Sequence, residues 1–97
     1  MTPISFVKNN NNYIVNGDLT FATIDPSTLN AVTFNQKNII VDFKSVTMAD
    51  SAGLALLVEW YKKAKSKNIN LHFNNLPEQI KTLARLVEVN DLIKNTL

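Results

Sequence analysis

The sequence predicts an α/β fold: a mixed, mostly parallel sheet with an N-terminal hairpin at its edge and helices packed on it, in the order ββαβαβα. Three observations predict it. Two short runs rich in β-branched and aromatic residues flank an asparagine run near the start of the chain, the pattern of a hairpin. Beyond them, strand-like runs alternate with stretches of helical periodicity, which implies parallel pairing through right-handed crossovers. One of those runs, "NIIVDF", is continuously apolar and β-branched up to its aspartate, as expected of a central strand covered on both faces. A chain of 97 residues is one domain, residues 1–97, and buries roughly 60–65% of the surface its unfolded form exposes, enough for one core.

Taken in order, "ISFVK" and "YIVNG" supply the hairpin strands, and the asparagines from Asn9 to Asn12 form a loop that tolerates left-handed conformations. Gly17 is expected to end the second strand. In "IDPSTLNAVTF", Asp25 caps a short helix with Pro26 at its first position. The central strand runs from Asn38 to Phe43. Asp50 or Ser51 caps the second helix, which continues to about Lys67 and stops at "SKN". "INLHFN" (Ile69 to Asn74) alternates as a strand. Pro77 opens "EQIKTLARLVEV", in which Ile80, Leu83, Ala84 and Val87 share a helical face.

Composition excludes several classes. The chain has no cysteine, which rules out disulfides and thiolate metal sites and leaves stability to packing. No run approaches the ~20 apolar residues that span a bilayer, and the N-terminus lacks the charged and apolar regions of a signal peptide, so a cytoplasmic location without membrane insertion is expected. The net charge of +2 is not gathered into one basic block. Lys62, Lys63, Lys65 and Lys67 fall in the last turns of the second helix, where cations suit the dipole. No nucleic acid partner is expected.

Titratable residues give no catalytic constellation. His72 is the only histidine and sits between Leu71 and Phe73, which take the buried face. Asp42 and Asp50 could pair near the carboxyl end of the central strand, but no glycine-rich phosphate loop or metal-ligand spacing accompanies them. No enzyme activity, cofactor or metal is expected. The informative stretch is "VTMADSAGLALLVEW" (Val46 to Trp60). At about 100° per residue, Gly53, Leu57, Trp60, Tyr61 and Ala64 share the sheet-facing arc, with Ala55, Glu59, Lys62, Lys63 and Ser66 opposite. Leu56 and Val58 lie on the flanks, and the first two turns carry no strongly polar residue. That surface is expected to meet a partner. Ser51 has two readings: a capping hydroxyl worth ~1 kcal/mol, or a hydroxyl held at the positive helix end for a phosphate or a partner.

"VDFKSVTMADSAGLALL" resembles the signature of STAS domains, in which an apolar strand and a short loop lead to Asp-Ser/Thr-x-Gly-Leu at the start of a helix. "NGDLTF" similarly resembles the family's Gly-x-Leu-Asp segment, except that Thr20 stands where an acid is usual. Two branches of the family bear on function. In anti-sigma factor antagonists, the serine matching Ser51 is phosphorylated by a partner kinase, which switches binding off. In the small STAS subunit of Mla-type ABC transporters, which handle phospholipids for outer-membrane lipid asymmetry, a threonine or serine there supports binding to the ATPase. "GLALLVEWYKKAKSKNINLHF" and "KTLARLVEV" are similar to segments of the transporter subunit.

The resemblance therefore implies a noncatalytic cytoplasmic subunit, held at the inner membrane by the ATPase and permease of its complex. The alternative it implies is an antagonist regulated through Ser51 by an anti-sigma factor kinase. Ser51 is the expected contact or phosphorylation residue. Asp50, Ala52, Gly53, Leu54, Leu56 and Val58 are expected around it in the contact, with Leu54 close enough to the sheet-facing arc to be core instead. Thr82, Arg85 and Glu88 extend the expected surface along the last helix.

Overall fold

The computed structural model describes residues 1–87. Its elements are β1 (Ser5–Asn9), β2 (Asn12–Leu19), α1 (Pro26–Leu29), β3 (Asn38–Ala49), α2 (Ser51–Ser66), β4 (Asn70–Asn74) and α3 (Glu78–Leu86). The sheet order is β1-β2-β3-β4, with β1 antiparallel to β2 and the other two pairings parallel. This is the predicted ββαβαβα arrangement. The hairpin turns through two residues, Asn10 and Asn11, and Asn10 takes the left-handed conformation at φ 57°, which asparagine tolerates better than most residues.

Each helix start has a chemical cause. Asp25 accepts from the Ser27 and Thr28 backbone N–H groups, and the Thr28 hydroxyl in turn accepts from the Asp25 N–H. That reciprocal cap, with Pro26 at the first position, fixes a helix of only one turn. The rest of the stretch is irregular and contributes Val32 and Phe34 to the core. At the far end of α2, Asn68 adopts φ 56° while Ile69 N–H donates to the Ala64 carbonyl and Asn68 N–H to that of Lys65. These two bonds are a Schellman stop.

Three expectations about the sheet are corrected. Gly17 does not end β2: the strand continues to Leu19 through register shifts on either side of Asn16 and Gly17. The glycine is required, because it sits at φ 91° and a Cβ there would collide with the Pro3 carbonyl oxygen. Pairing with this longer β2 carries β3 on to Ala49, six residues past Phe43. Nor is β3 covered on both faces. Ile39, Val41 and Phe43 are buried, whereas Ile40 and Asp42 between them are only half-buried. Neighbouring strands repeat the alternation, with Tyr13, Val15, Leu71 and Phe73 inside and Ile14 and His72 on the open side. All the helices lie on one face.

The core lies between that face and α2. Trp60 is fully buried, stacks edge-on to Phe6 at 6.1 Å, and donates its indole N–H to the Leu29 carbonyl of α1 at 3.1 Å. Phe43 and Phe73 make a second edge-on pair at 5.6 Å. Such pairs contribute about 0.5–1.5 kcal/mol beyond the area they bury. On α3, Ile80 and Ala84 are buried and Leu83 packs against the core, but Val87 is exposed and falls just past the helix end. Glu88 and Val89 lie outside the described residues.

Asp18 ties the N-terminal segment to this frame. Its carboxylate is almost fully buried, accepting from the Thr47 hydroxyl at 2.6 Å and from the Thr2 N–H at 3.0 Å, while its own N–H donates to the Thr2 carbonyl. The Thr47 hydroxyl first, and then the Thr2 N–H, hold the carboxyl below the ordinary aspartate value against the opposing effect of burial. Because the folded value is depressed, the stabilisation is complete above the unfolded value near pH 4 and is lost as pH falls through the folded value. The melting temperature should therefore drop as pH is lowered below about 4, and Asp18→Asn should lower it at neutral pH while flattening that acid dependence. An unchanged acid limb in the variant would assign the dependence to other carboxyls.

Candidate functional site

The carboxyl ends of β2 and β3 deliver the chain to the start of α2, where Asp50 is the N-cap. One carboxylate oxygen, Oδ1, accepts from the Ala52 N–H at 2.9 Å. The other, Oδ2, accepts from the Phe21 N–H in the loop after β2 at 3.1 Å. The Asp50 N–H itself donates to the Leu19 carbonyl at 3.3 Å. Asp50 is thus a structural clasp, and both of its oxygens are used within the chain. Asp42 is roughly 26 Å away along the strand at the rise of extended chain. It accepts instead from the Lys44 N–H and the Asn75 side-chain amide. The two carboxylates do not pair.

With Asp50 capping the helix, Ser51 is released from that role. Its side chain is exposed at the first position of α2, and among the described residues its hydroxyl has no hydrogen-bond partner. The capping reading of Ser51 is therefore replaced by one in which the hydroxyl stands free at the positive end of a 16-residue helix. Ser51 borders a shallow, open cleft of about 650 Å³ between the starts of α2 and α3, lined by Ala49, Asp50, Glu78, Gln79, Thr82 and Leu83. Thr82 was expected at the contact and lies in this cleft. Arg85 is exposed on the same helix but does not line it.

Three residues expected in the contact belong to the interior. Gly53 is buried because α2 crosses the end of β2 closely: a Cβ there would stand 2.7 Å from the Leu19 carbonyl oxygen. Leu54 and Leu56 are 6% and 3% exposed, so neither can offer area to a partner. The reason is that α2 has neighbours on both flanks as well as beneath it. At about 100° per residue, Leu56 falls beside Trp60 on the α1 flank and Leu54 on the opposite flank, toward α3. Val58 is half-buried against the core, Ala52 is half-exposed, and Ala55 is exposed.

Sequence reasoning missed two large apolar side chains beside this site. Phe21 is 83% exposed and Met48 60% exposed. The segment "DLTFATIDP" gives no periodic signal at Phe21, and Met48 lies in a stretch expected to be loop rather than strand. His72 is exposed on the open face of β4, as its alternation predicted. Among the described residues no group of three or more His, Asp or Glu converges, and no helix is long and apolar enough to cross a membrane.

A mixed four-stranded sheet covered on one face, with an exposed serine at the start of the helix that follows its longest strand, defines the class of domain. The chain belongs to the STAS domain family, whose model matches residues 4–97. Its fold is similar to that of the anti-sigma factor antagonist SpoIIAA in its unphosphorylated form, with a TM-score of 0.58 over 94% of this chain and 97% of that one. The two are 12% identical, and the likeness is one of fold.

The different roles of the two neighbours are separable by stability. Asp50→Ala should cost about 0.5–2 kcal/mol in urea unfolding, the range for losing an N-cap, because the cap and the Phe21 tie both go. Ser51→Ala should stay within about 0.5 kcal/mol of the parent, as an unbonded surface side chain does. Equal losses would return Ser51 to the capping role.

Proposed function

We propose that this chain is the noncatalytic STAS subunit of an Mla-type ABC transporter, and that the start of α2 docks on the ATPase subunit to support the complex in phospholipid transport. Ser51 is the centre of the contact, with Ala52, Thr82 and the cleft around them at its edge. The observation that carries this reading is the free, exposed Ser51 hydroxyl at a helix start whose capping is done by Asp50. A helix start pinned in this way offers its hydroxyl on a surface with small and apolar neighbours, Ala49 and Leu83, as suits a protein contact. The similarity of the Gly53–Leu57 and Lys81–Leu86 segments to the transporter subunit supports the ATPase as the partner. In this reading the protein works in the cytoplasm, peripheral to the inner membrane through the ATPase and permease.

The same exposed serine favours a second reading, an anti-sigma factor antagonist whose partner kinase phosphorylates Ser51. Phosphate there would join the Asp50 and Glu78 carboxylates at the cleft, and like charges repel. That suits a modification that ends binding.

An affinity pull-down of tagged protein from detergent-solubilised native membranes, read by mass spectrometry, separates the two. An ABC ATPase with its permease is expected, and Ser51→Asp should reduce their recovery while leaving the melting curve close to that of the parent. Recovery of a serine kinase without transporter subunits would replace the leading reading by the second. Undiminished recovery with Ser51→Asp would remove Ser51 from the contact.

A further inference from the structure

Two large exposed apolar side chains, Phe21 and Met48, lie outside the Ser51 cleft. Phe21 is 83% exposed, and a phenylalanine ring left in water forgoes the hydrophobic stabilisation that burial gives. The ring is not on a loose segment. Its backbone N–H is held by Asp50 Oδ2 at 3.1 Å, and the loop that follows is closed by Thr23, whose hydroxyl donates to the Asp18 carbonyl at 2.7 Å. The Thr23 and Ile24 N–H groups also both donate to the Thr20 carbonyl. Met48, 60% exposed, stands opposite Asp18 in the β2–β3 register, two residues before the Asp50 clasp. Phe21 is therefore presented by a backbone tied to the carboxylate that caps α2, and Met48 by the strand that leads into that cap.

We propose that Phe21, seconded by Met48, is the anchor by which this surface grips the ATPase subunit, entering an apolar hollow that is flanked by basic side chains. This rests on the ATPase reading above and adds the specificity-determining residue and the chemistry of the partner's face. Phenylalanine and methionine are among the residues enriched in interface cores, and a ring carried on a tied backbone leaves less loop entropy to be lost on docking. The basic flank follows from how charge is distributed along α2. Asp50 and Glu78 border the Ser51 cleft, while Lys62, Lys63, Lys65 and Lys67 sit at the opposite end of the helix, roughly 20 Å away. Glu78 is paired with Lys81 at 3.5 Å but keeps 79% of its side chain exposed, and such a surface pair is weak enough to yield to a partner's cation.

The test is a binding titration by biolayer interferometry, with the purified ATPase subunit recovered with the wild-type chain as the probe. Phe21→Ala should weaken binding about ten-fold or more and Met48→Ala about three-fold, as truncated anchors do. Phe21→Leu should recover most of the loss. Val7→Ala, at an apolar residue 55% exposed on β1, should bind within about two-fold of the parent, as a position outside the contact does. Because Phe21 is exposed, its truncation leaves no cavity, and unchanged Trp60 emission and melting certify the fold. Glu78→Lys should slow association, where rim charges act. Parent-like binding by Phe21→Ala while Ser51→Asp binds poorly would overturn the anchor and leave the ATPase reading standing. Faster association of Glu78→Lys would overturn the basic flank. A wild-type chain that does not bind the ATPase would overturn the docking reading and the anchor together.

Discussion

The Asp50 carboxylate holds three parts of the chain at one point. It ends β3, caps α2 through Ala52, and pins the loop after β2 through Phe21, while its own N–H closes onto Leu19. A cap alone is worth ~1 kcal/mol, but the geometric effect is larger than the energy. Because Asp50 caps α2, Ser51 is left out of that role; because it accepts from the Phe21 N–H, the β2–α1 loop is tied to the helix start. The close crossing of α2 over β2, which leaves no room for a Cβ on Gly53, fixes the same junction from below. The surface around Ser51 is pre-organised by groups that lie beneath it.

This arrangement separates the packed interior from the exposed end of the domain. The sheet's covered face and the α2 core, with Leu54, Leu56, Leu57 and Trp60 buried, supply stability. The ends of β2 and β3 and the starts of α2 and α3 supply the presented surface. Nothing in that surface requires a side chain to titrate or a metal to bind in order to act as a contact, because shape, an exposed hydroxyl and apolar area are sufficient. The charge distribution adds orientation: the acidic end of α2 and its lysine-rich end would meet different environments in any docked complex.

Much of this was legible in the chain. Asp25 with Pro26, Asp50 before an apolar helical stretch, and the alternation in "NLHFN" each carry a local physical cause, and each placed its element correctly. Family resemblance in "VDFKSVTMADSAGLALL" pointed to the strand-to-helix junction at which Ser51 is exposed. What was illegible depended on partners distant in sequence. Gly17 reads as a stop, but its bulge is defined by Pro3 lying against it. The extension of β3 through "KSVTMA" depends on pairing with the bulged part of β2. Leu56 looked available because a helical projection shows one helix and not the two that flank it, whereas Leu54 lay close enough to the sheet-facing arc to be read as core, which it is. Phe21 was missed for the converse reason: a lone phenylalanine reads as core unless the surrounding fold leaves it outside.

The most direct measurement of the central claim is amide hydrogen exchange of this chain, alone and mixed with the ABC ATPase that the proposed function assigns as its partner. Docking through the α2 start predicts protection concentrated at residues 19–22, 48–52 and 78–83, with the open face of the sheet and the lysine-bearing end of α2 unchanged. Protection centred on the open face around Ile14, Ile40 and His72, with residues 48–52 unaffected, would contradict it.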